Sequence, residues 1–450
     1  MKHEKSSAMK KYYQLVLIIV SVVSVVLLLF YRHEYNRLRY VLQVLNFFGK
    51  PGQSSLSTNE CATVSQEKLL YTREDDTSTN PLPVWQRLTD THYVYSAFWE
   101  DEQVKSVGLT TTNNADPKFQ CQLWFDHVNQ PVPGKFGFSV SSSREKKNDK
   151  LQHSKVLASY FYCKPKNNVG VPYGVEFYKT DELVPFKTFI AVHYTGKKIT
   201  VANSTVICVL PDVSLPQQTS AVVEFLNYHR LIGVSNFMAY DAGIMNRISS
   251  VLSSSKTVAN YGINMAFLPW NFPFPHWEAV DATSTVIEMD CMLRTSGMHR
   301  NVAVLAWNEY IVPRYHHHLG AMLDDFDSGR KTTARFEIPA IMFCSNLPDD
   351  EKSRKGAPLV LRKTHYLRGS SDEPPFHIHR PHVMSVLGDL SLTTQRVSQG
   401  IAALHRYVQC SAEDISSDKP TLYEPAMLRF SGDLMKSRFL KVWQAKKILF

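Results

Sequence analysis

The chain has 450 residues, 44% of them hydrophobic and 20% charged, with a formal net charge of +9. That is enough for one large domain or two ordinary ones, and too few charges for a chain that is mainly disordered. The positive balance suits an anionic partner, such as a nucleotide phosphate or a membrane surface, as well as an ordinary solvated basic surface. No zinc-type cysteine spacing, Walker loop or aromatic-basic signature accompanies it, so nucleic acid is not an expected partner.

The first element in chain order is Tyr12 to Tyr31, "YYQLVLIIVSVVSVVLLLFY", uncharged and interrupted only by Gln14, Ser21 and Ser24. A helix of about 20 such residues crosses a bilayer core, and Tyr12, Tyr13 and Tyr31 sit where interfacial aromatics belong. No small-x-small cleavage site follows, so the run reads as an uncleaved signal anchor. Lys2, Lys5, Lys10 and Lys11 precede it and Arg32, Arg37 and Arg39 follow. That slight bias places residues 1–11 in the cytosol and the remainder on the far side of the membrane. Residues 32–90 are rich in Ser, Thr, Asn and Pro without an apolar period, and read as a stem. Seven cysteines allow up to three disulfides with one thiol over. Asn203-Ser204-Thr205 is a glycosylation acceptor pattern.

Residues 91–450 read as the folded domain. "HYVYSAFWED", "FQCQLWF" and "KVLASYFYC" suit short strands, an N-terminal β extension. From about Thr200 strands alternate with helices. "TVICVL" is a strand. "SAVVEFLNYHRLIG" is a helix, with Val222, Phe225, Leu226 and His229 at helical spacing and Gly233 as its C-terminal cap. "VSNFMAYD" and "NMAFLPW" are strands, "TSTVIEMDCMLR" a helix, and "NVAVLA" a fourth strand. The rhythm predicts an α/β fold, a mostly parallel sheet with helices on both faces. Ligands in such sheets bind at the carboxyl edge, where Asp241, Trp270 and Asn308–Glu309 arrive. The C-terminal run "SGDLMKSRFLKVWQAKKILF" predicts an amphipathic helix burying Leu434, Phe439, Leu440 and Trp443.

The stretch "VVEFLNYHRLIGVSNFMAYD" resembles the signature of glycosyltransferase family 92, at Glu224, Tyr228, His229, Gly233, Val234, Phe237, Tyr240 and Asp241. "HYVYSAFWED", Pro269–Trp270, Met289–Arg294, Glu309–Pro313 and Ala403–Tyr407 resemble further blocks of that family, in order. The resemblance spans roughly residues 92–410. It implies a GT-A-like sheet in a single-pass type II enzyme of the Golgi or endoplasmic reticulum, with its catalytic domain lumenal. It also implies inverting transfer of a hexose, galactose from UDP-galactose, to a glycan or glycoprotein, usually with Mn2+.

Sugar transfer needs charge stabilisation at the leaving diphosphate and, with inversion, a base for the acceptor hydroxyl. The family's acidic block reads Asp-x-Asp-Glu-aromatic-Ile-Val-Pro, whereas this chain has Ala306 and Asn308 at the two aspartate positions and retains Glu309. Glu309 is therefore the expected catalytic residue, and Glu309 with Asn308 the expected metal pair. An amide binds a hard cation less well than a carboxylate. Asp241, Tyr240, Trp270, Asn308 and His405 are the expected nucleotide-sugar contacts; Tyr-Arg in the late block is inverted here to Arg406-Tyr407. His316–His318 and the pair His377/His379 read either as polar surface or as metal-adjacent groups. Asp324, Asp325, Asp372 and Glu373 stand unranked as further bases. Two other readings remain open: a non-catalytic family member that binds glycans or a partner enzyme, and a receptor or adhesion protein with sandwich-like β domains.

Overall fold

The structure is a computed structural model and describes residues 24, 82–111, 118–141, 156–167, 170–179, 188–194, 204–211, 219–242, 261–274, 279–327, 333–351, 353, 356–367, 375–383, 393–411, 421–437 and 440–441. From residue 82 onward these fall within one compact unit, Arg73–Phe450.

The first half is a closed barrel rather than an extension of a sheet. Its strands are β1 (Gln86–Thr89), β2 (His92–Glu100), β3 (Gln103–Thr110), β4 (Gln120–Trp124), β5 (Val132–Val140), β6 (Leu157–Pro165), β7 (Gly174–Tyr178) and β8 (Thr188–His193). Neighbours run in the order β2-β3-β6-β5-β4-β7-β8, and β8 returns to pair in parallel with β2 at Ala97 and Phe98. That last pairing leaves no open edge among these seven strands. A bulge between Val94 and Ser96 resets the alternation on β2. Val94 and Ala97 then point into the barrel with Val104, Phe161, Val175 and Phe177. Tyr95 and Phe98 point out, into a second core.

The second half is built on a mixed sheet. Four strands, β9 (Thr205–Val209), β10 (Asn236–Asp241), β11 (Asn264–Pro269) and β12 (Asn301–Leu305), are parallel in the order β11-β10-β9-β12. These are the four strands the alternation predicts. Beyond them come β13 (Glu309–Pro313), β14 (Arg335–Ile338), β15 (Ala340–Cys344), β16 (His365–Leu367), β17 (Phe376–His379), β18 (Thr394–Arg396), β19 (Ala402–Val408) and β20 (Thr421–Tyr423). β17 joins β12 antiparallel, and β14 and β18 extend the sheet. β13, β19 and β15 form a separate small sheet, and β16 pairs with β20.

Helix α1 (Thr219–Leu231) packs on the small sheet through β13. Helix α2 (Val280–Thr295) lies between the parallel strands and barrel strands β2, β3 and β6. Three shorter helices follow: α3 (Leu319–Phe326), α4 (Leu359–Arg362) and α5 (Ser431–Lys436). The predicted cap of α1 is present: Gly233 has φ +89, and the Val234 N–H bonds the His229 carbonyl.

The expected α/β class is thus corrected. Among the described residues strand outweighs helix, 44% to 20%, and a seven-strand barrel is closed beside a sheet only partly parallel. The reason is pairing at long range: β2 and β8 meet across about a hundred residues, and local periodicity carries no trace of that. The membrane placement is corrected too. No helix among the described residues is long and apolar enough to cross a membrane, so a single-pass type II arrangement in the Golgi or endoplasmic reticulum has no support in the structure. The anchor expected over 12–31 lies, except for Ser24, outside the described residues. So do Cys61, Asn203, Asp372, Glu373, Phe439 and Trp443. The C-terminal helix α5 ends at Lys436, and Ser437 takes ψ 127. Leu434 and Leu440 are buried as expected.

Three disulfides join described residues. Cys121–Cys163 ties β4 to β6, Cys208–Cys291 ties β9 to α2, and Cys344–Cys410 ties β15 to the segment after β19. Such pairs persist in oxidising compartments.

Candidate functional site at the carboxyl edge

The parallel strands end together. β11 runs into Trp270, β10 ends at Asp241, β9 ends at Val209 and β12 leads to Ala306. β10 and β12 flank β9, so their ends stand about 10 Å apart at the usual strand spacing.

After β12 the chain does not simply stop. It makes a tight turn, in which the Glu309 N–H bonds the Ala306 carbonyl at 3.1 Å. Trp307 turns inward, 1% exposed, against Phe225 of α1. Ala306 and Asn308 remain half-buried at the rim. The chain then enters β13, buried throughout and paired with β19. The turn is fastened to β19 at two points. Asn308 Nδ2 donates to the Tyr407 carbonyl at 2.9 Å, and the Tyr407 N–H donates back to the Asn308 carbonyl at 3.0 Å. Glu309 sits opposite Arg406 in the ladder, and its Oε1 accepts from Arg406 Nε at 2.7 Å. The other oxygen, Oε2, accepts the Ala306 N–H at 2.8 Å.

This geometry bears on both roles expected of Glu309. Each oxygen already accepts a donor from the protein, so the carboxylate holds the turn and the guanidinium rather than facing an acceptor hydroxyl. The donor set also fits a divalent cation poorly. The Ala306 side chain has no ligand atom and its carbonyl is taken by the Glu309 N–H, while Asn308 is tethered to Tyr407. An ion on Glu309 would stand roughly 5 Å from the Arg406 charge, where repulsion between +2 and +1 is about 7 kcal/mol at an effective dielectric of 20. Among the described residues, no group of three His, Cys, Asp or Glu side chains is placed to hold a metal.

The other expected contacts divide sharply. Asp241 stays at the rim, half-buried, its carbonyl accepting the Trp270 N–H at 3.0 Å. Tyr240, one residue earlier, points to the opposite face and is buried; its hydroxyl donates to Asp290 Oδ2 at 2.6 Å. Burial raises that phenol well above its ordinary range, and the Asp290 charge adds to the shift. Trp270 is a core residue, stacked on Phe272 and edge-on to Trp85, Tyr95 and Tyr240. His405 is buried against Phe343. Burial, with the Arg314 charge behind it, lowers its ring to about 3, so it is neutral at ordinary pH. Tyr240, Trp270 and His405 therefore build the core under the edge, while Asp241, Asn308 and Glu309 reach the edge itself.

Several of the remaining candidates among the described residues are engaged elsewhere. His316 contacts Asp325 at 2.7 Å, and Asp324 receives Arg300 at 3.1 Å. His377 and His379 lie on a buried strand, His379 bonded to Glu288 and His377 3.9 Å from Glu337. Glu224 and His229 do not pair with each other. Glu224 accepts the Leu359 and Val360 N–H groups at the start of α4, and His229 Nδ1 meets the Phe225 carbonyl at 2.9 Å. Burial pushes the Glu224 carboxyl up to about 7, against those two bonds.

Sequence reasoning missed Arg406 as the partner of Glu309, because nothing local links positions 97 apart. It missed Asp290 as well, although Asp290 and Arg294 stand at helical i,i+4 spacing, a legible signal.

A parallel-strand edge with polar residues at its rim is the kind of place where α/β proteins bind nucleotides. Residues 203–369, which contain all four parallel strands and the turn, match the family model described as Glycosyltransferase family 92. The match makes this segment, under half of the chain, similar to a family of glycosyltransferases. No curated protein matches the chain.

Proposed function

We propose that the protein transfers a hexose from a nucleoside-diphosphate sugar, UDP-galactose being the first candidate, to a glycan or glycoprotein acceptor with inversion. The observation that carries this reading is the convergence of Asp241 and the Ala306–Glu309 turn on one carboxyl edge, inside the family-matched segment. Asp241 is the proposed contact to the nucleoside, and the rim at Asn308 the proposed contact to the diphosphate. Glu309 is assigned to positioning, because both of its oxygens are engaged. Tyr240, Trp270 and His405 support these groups from below.

The test is a donor screen. The full chain is incubated with a panel of UDP- and GDP-sugars and fucose- or galactose-terminated glycans, and nucleotide release is read. Release of UDP from UDP-galactose that rises with a glycan acceptor supports the reading. Release from no donor, with the chain folded, favours a non-catalytic glycan binder, a reading to which the two missing aspartates lend weight.

A further inference from the structure

The disagreement between the expected metal pair and the observed bonds has a consequence for how a donor would bind. A leaving diphosphate needs positive charge close by. The described residues offer one such charge fixed to the turn itself, the guanidinium of Arg406. It is fixed twice over. Arg406 lies on β19, whose ladder with β13 runs from Glu309 opposite Arg406 to Pro313 opposite Ala402. Its Nε is then aimed by Glu309 Oε1 at 2.7 Å. Glu309 cannot swing away, because Oε2 is held by the Ala306 N–H. The pair is also asymmetric: the Arg406 side chain is 29% exposed and that of Glu309 only 9%. The arginine is the more exposed member of the pair. Ala306 brings only a methyl side chain to the turn, and Asn308 contributes no charge.

We propose that this site binds the diphosphate of its donor without a divalent cation, with the Arg406 guanidinium supplying the positive charge and Glu309 acting as the positioning residue that orients it. Arginine suits the task because it carries its charge at every working pH and matches phosphate oxygens with a planar fork of donors. Preorganisation by Glu309 and the Asn308–Tyr407 clasp keeps the side chain from having to be ordered at the moment of binding. The proposal rests on the glycosyltransferase reading above, and its test separates the two.

The full chain is titrated calorimetrically with UDP and with UDP-galactose, once in EDTA and once in Mn2+. The expected result is binding in EDTA with an affinity within about threefold of that in Mn2+. Arg406→Gln is expected to weaken binding in EDTA about tenfold or more, the size of a lost charge-assisted hydrogen bond. Arg406→Lys is expected to recover most of that loss. Because Arg406→Gln alone strands the Glu309 charge, the double variant Glu309→Gln/Arg406→Gln is run beside it. It removes both charges, leaves an amide oxygen to accept the Ala306 N–H, and is expected to lose binding to the same degree while keeping its circular dichroism. Binding that requires Mn2+ overturns the metal-free proposal and leaves the transferase reading standing, as does unchanged affinity in the double variant. Binding of neither compound under either condition overturns both.

Discussion

Two ion pairs in this molecule use the same chemistry in opposite surroundings. Asp290 and Arg294, one turn apart on α2, are 0% and 1% exposed. Asp290 accepts Arg294 Nε and Nη2 at 2.9 and 2.8 Å, Ser96 Oγ at 2.5 Å and Tyr240 at 2.6 Å. One carboxylate thereby ties barrel strand β2, helix α2 and parallel strand β10 together, and the Arg294 guanidinium covers the Phe98 ring. Glu309 and Arg406 instead lie at the carboxyl edge, joined in a single ladder position and open to solvent on the arginine side. The interior pair is saturated by its own neighbours and has nothing left to offer a ligand. The edge pair is held firmly, and its arginine is partly exposed. Saturation marks architecture; a fixed but accessible charge marks a site.

The largest expected effect tests the interior half of that contrast. Asp290→Ala leaves Arg294 buried without its counter-charge and Tyr240 without its acceptor. Breaking a buried pair in this way costs about 3–5 kcal/mol, readable as a drop in the urea midpoint. A loss below about 1 kcal/mol would show that the seam between barrel and sheet is held by the apolar contacts of α2 alone.

A second, somewhat smaller effect is a pH dependence from Glu224, buried on the other face of the sheet. Its folded carboxyl sits at about 7 against an ordinary 4.5, chiefly through burial. The folded chain therefore keeps a proton that the unfolded chain releases between about pH 4.5 and 7. Stability contributed by this group is full below that window and falls as pH rises through it, by about 3 kcal/mol at 1.36 kcal/mol per pKa unit. His229 and His405 act in the opposite sense. Their folded rings are depressed to about 3, chiefly by burial, so stability is full above about pH 6.5 and declines as pH falls toward 3. The net slope of the wild type mixes both, and the difference between wild type and Glu224→Gln isolates the carboxyl. Unfolding free energies measured across pH 4.5 to 7 should converge at the acid end and favour the glutamine variant near pH 7. Parallel curves would place the proton elsewhere.

These contrasts also show what the sequence could convey. The strands β9 to β12 and the Gly233 cap were legible because each depends on residues within a few positions: alternation, an apolar run, a glycine where φ is positive. Barrel closure was not, since β2 meets β8 at Ala97 and Val192. Nor was β13, because Trp307-Asn308-Glu309 reads as the end of a strand when the chain in fact turns and starts another sheet. Chain position puts Asp241, Asn308 and Glu309 at the ends of neighbouring strands, where the structure also has them. It could not tell that Tyr240 faces the barrel side or that Trp270 fills the core beneath. An aromatic at a strand end serves packing and ligand stacking equally well, and only the three-dimensional neighbours decide.

The smallest expected effect carries the comparison to its sharpest point. Glu309→Gln/Arg406→Gln removes the edge pair as a unit, while the amide oxygen introduced at position 309 can still accept the Ala306 N–H. Partly exposed pairs contribute about 0–1 kcal/mol, and no buried charge is left stranded, so stability should change by less than about 1 kcal/mol in urea unfolding. The analogous double removal at Asp290 and Arg294 cannot be so mild. A glutamine there has no geometry with which to satisfy Ser96, Tyr240 and a buried neighbour at once, and unmet buried polar groups cost about 1–3 kcal/mol each. If the edge double variant proves as unstable as the interior one, Glu309–Arg406 is a strut of the β13–β19 ladder, and its exposure is incidental. If it folds normally and loses only its hold on a diphosphate, the ladder stands on its backbone bonds and the charges are there for the ligand.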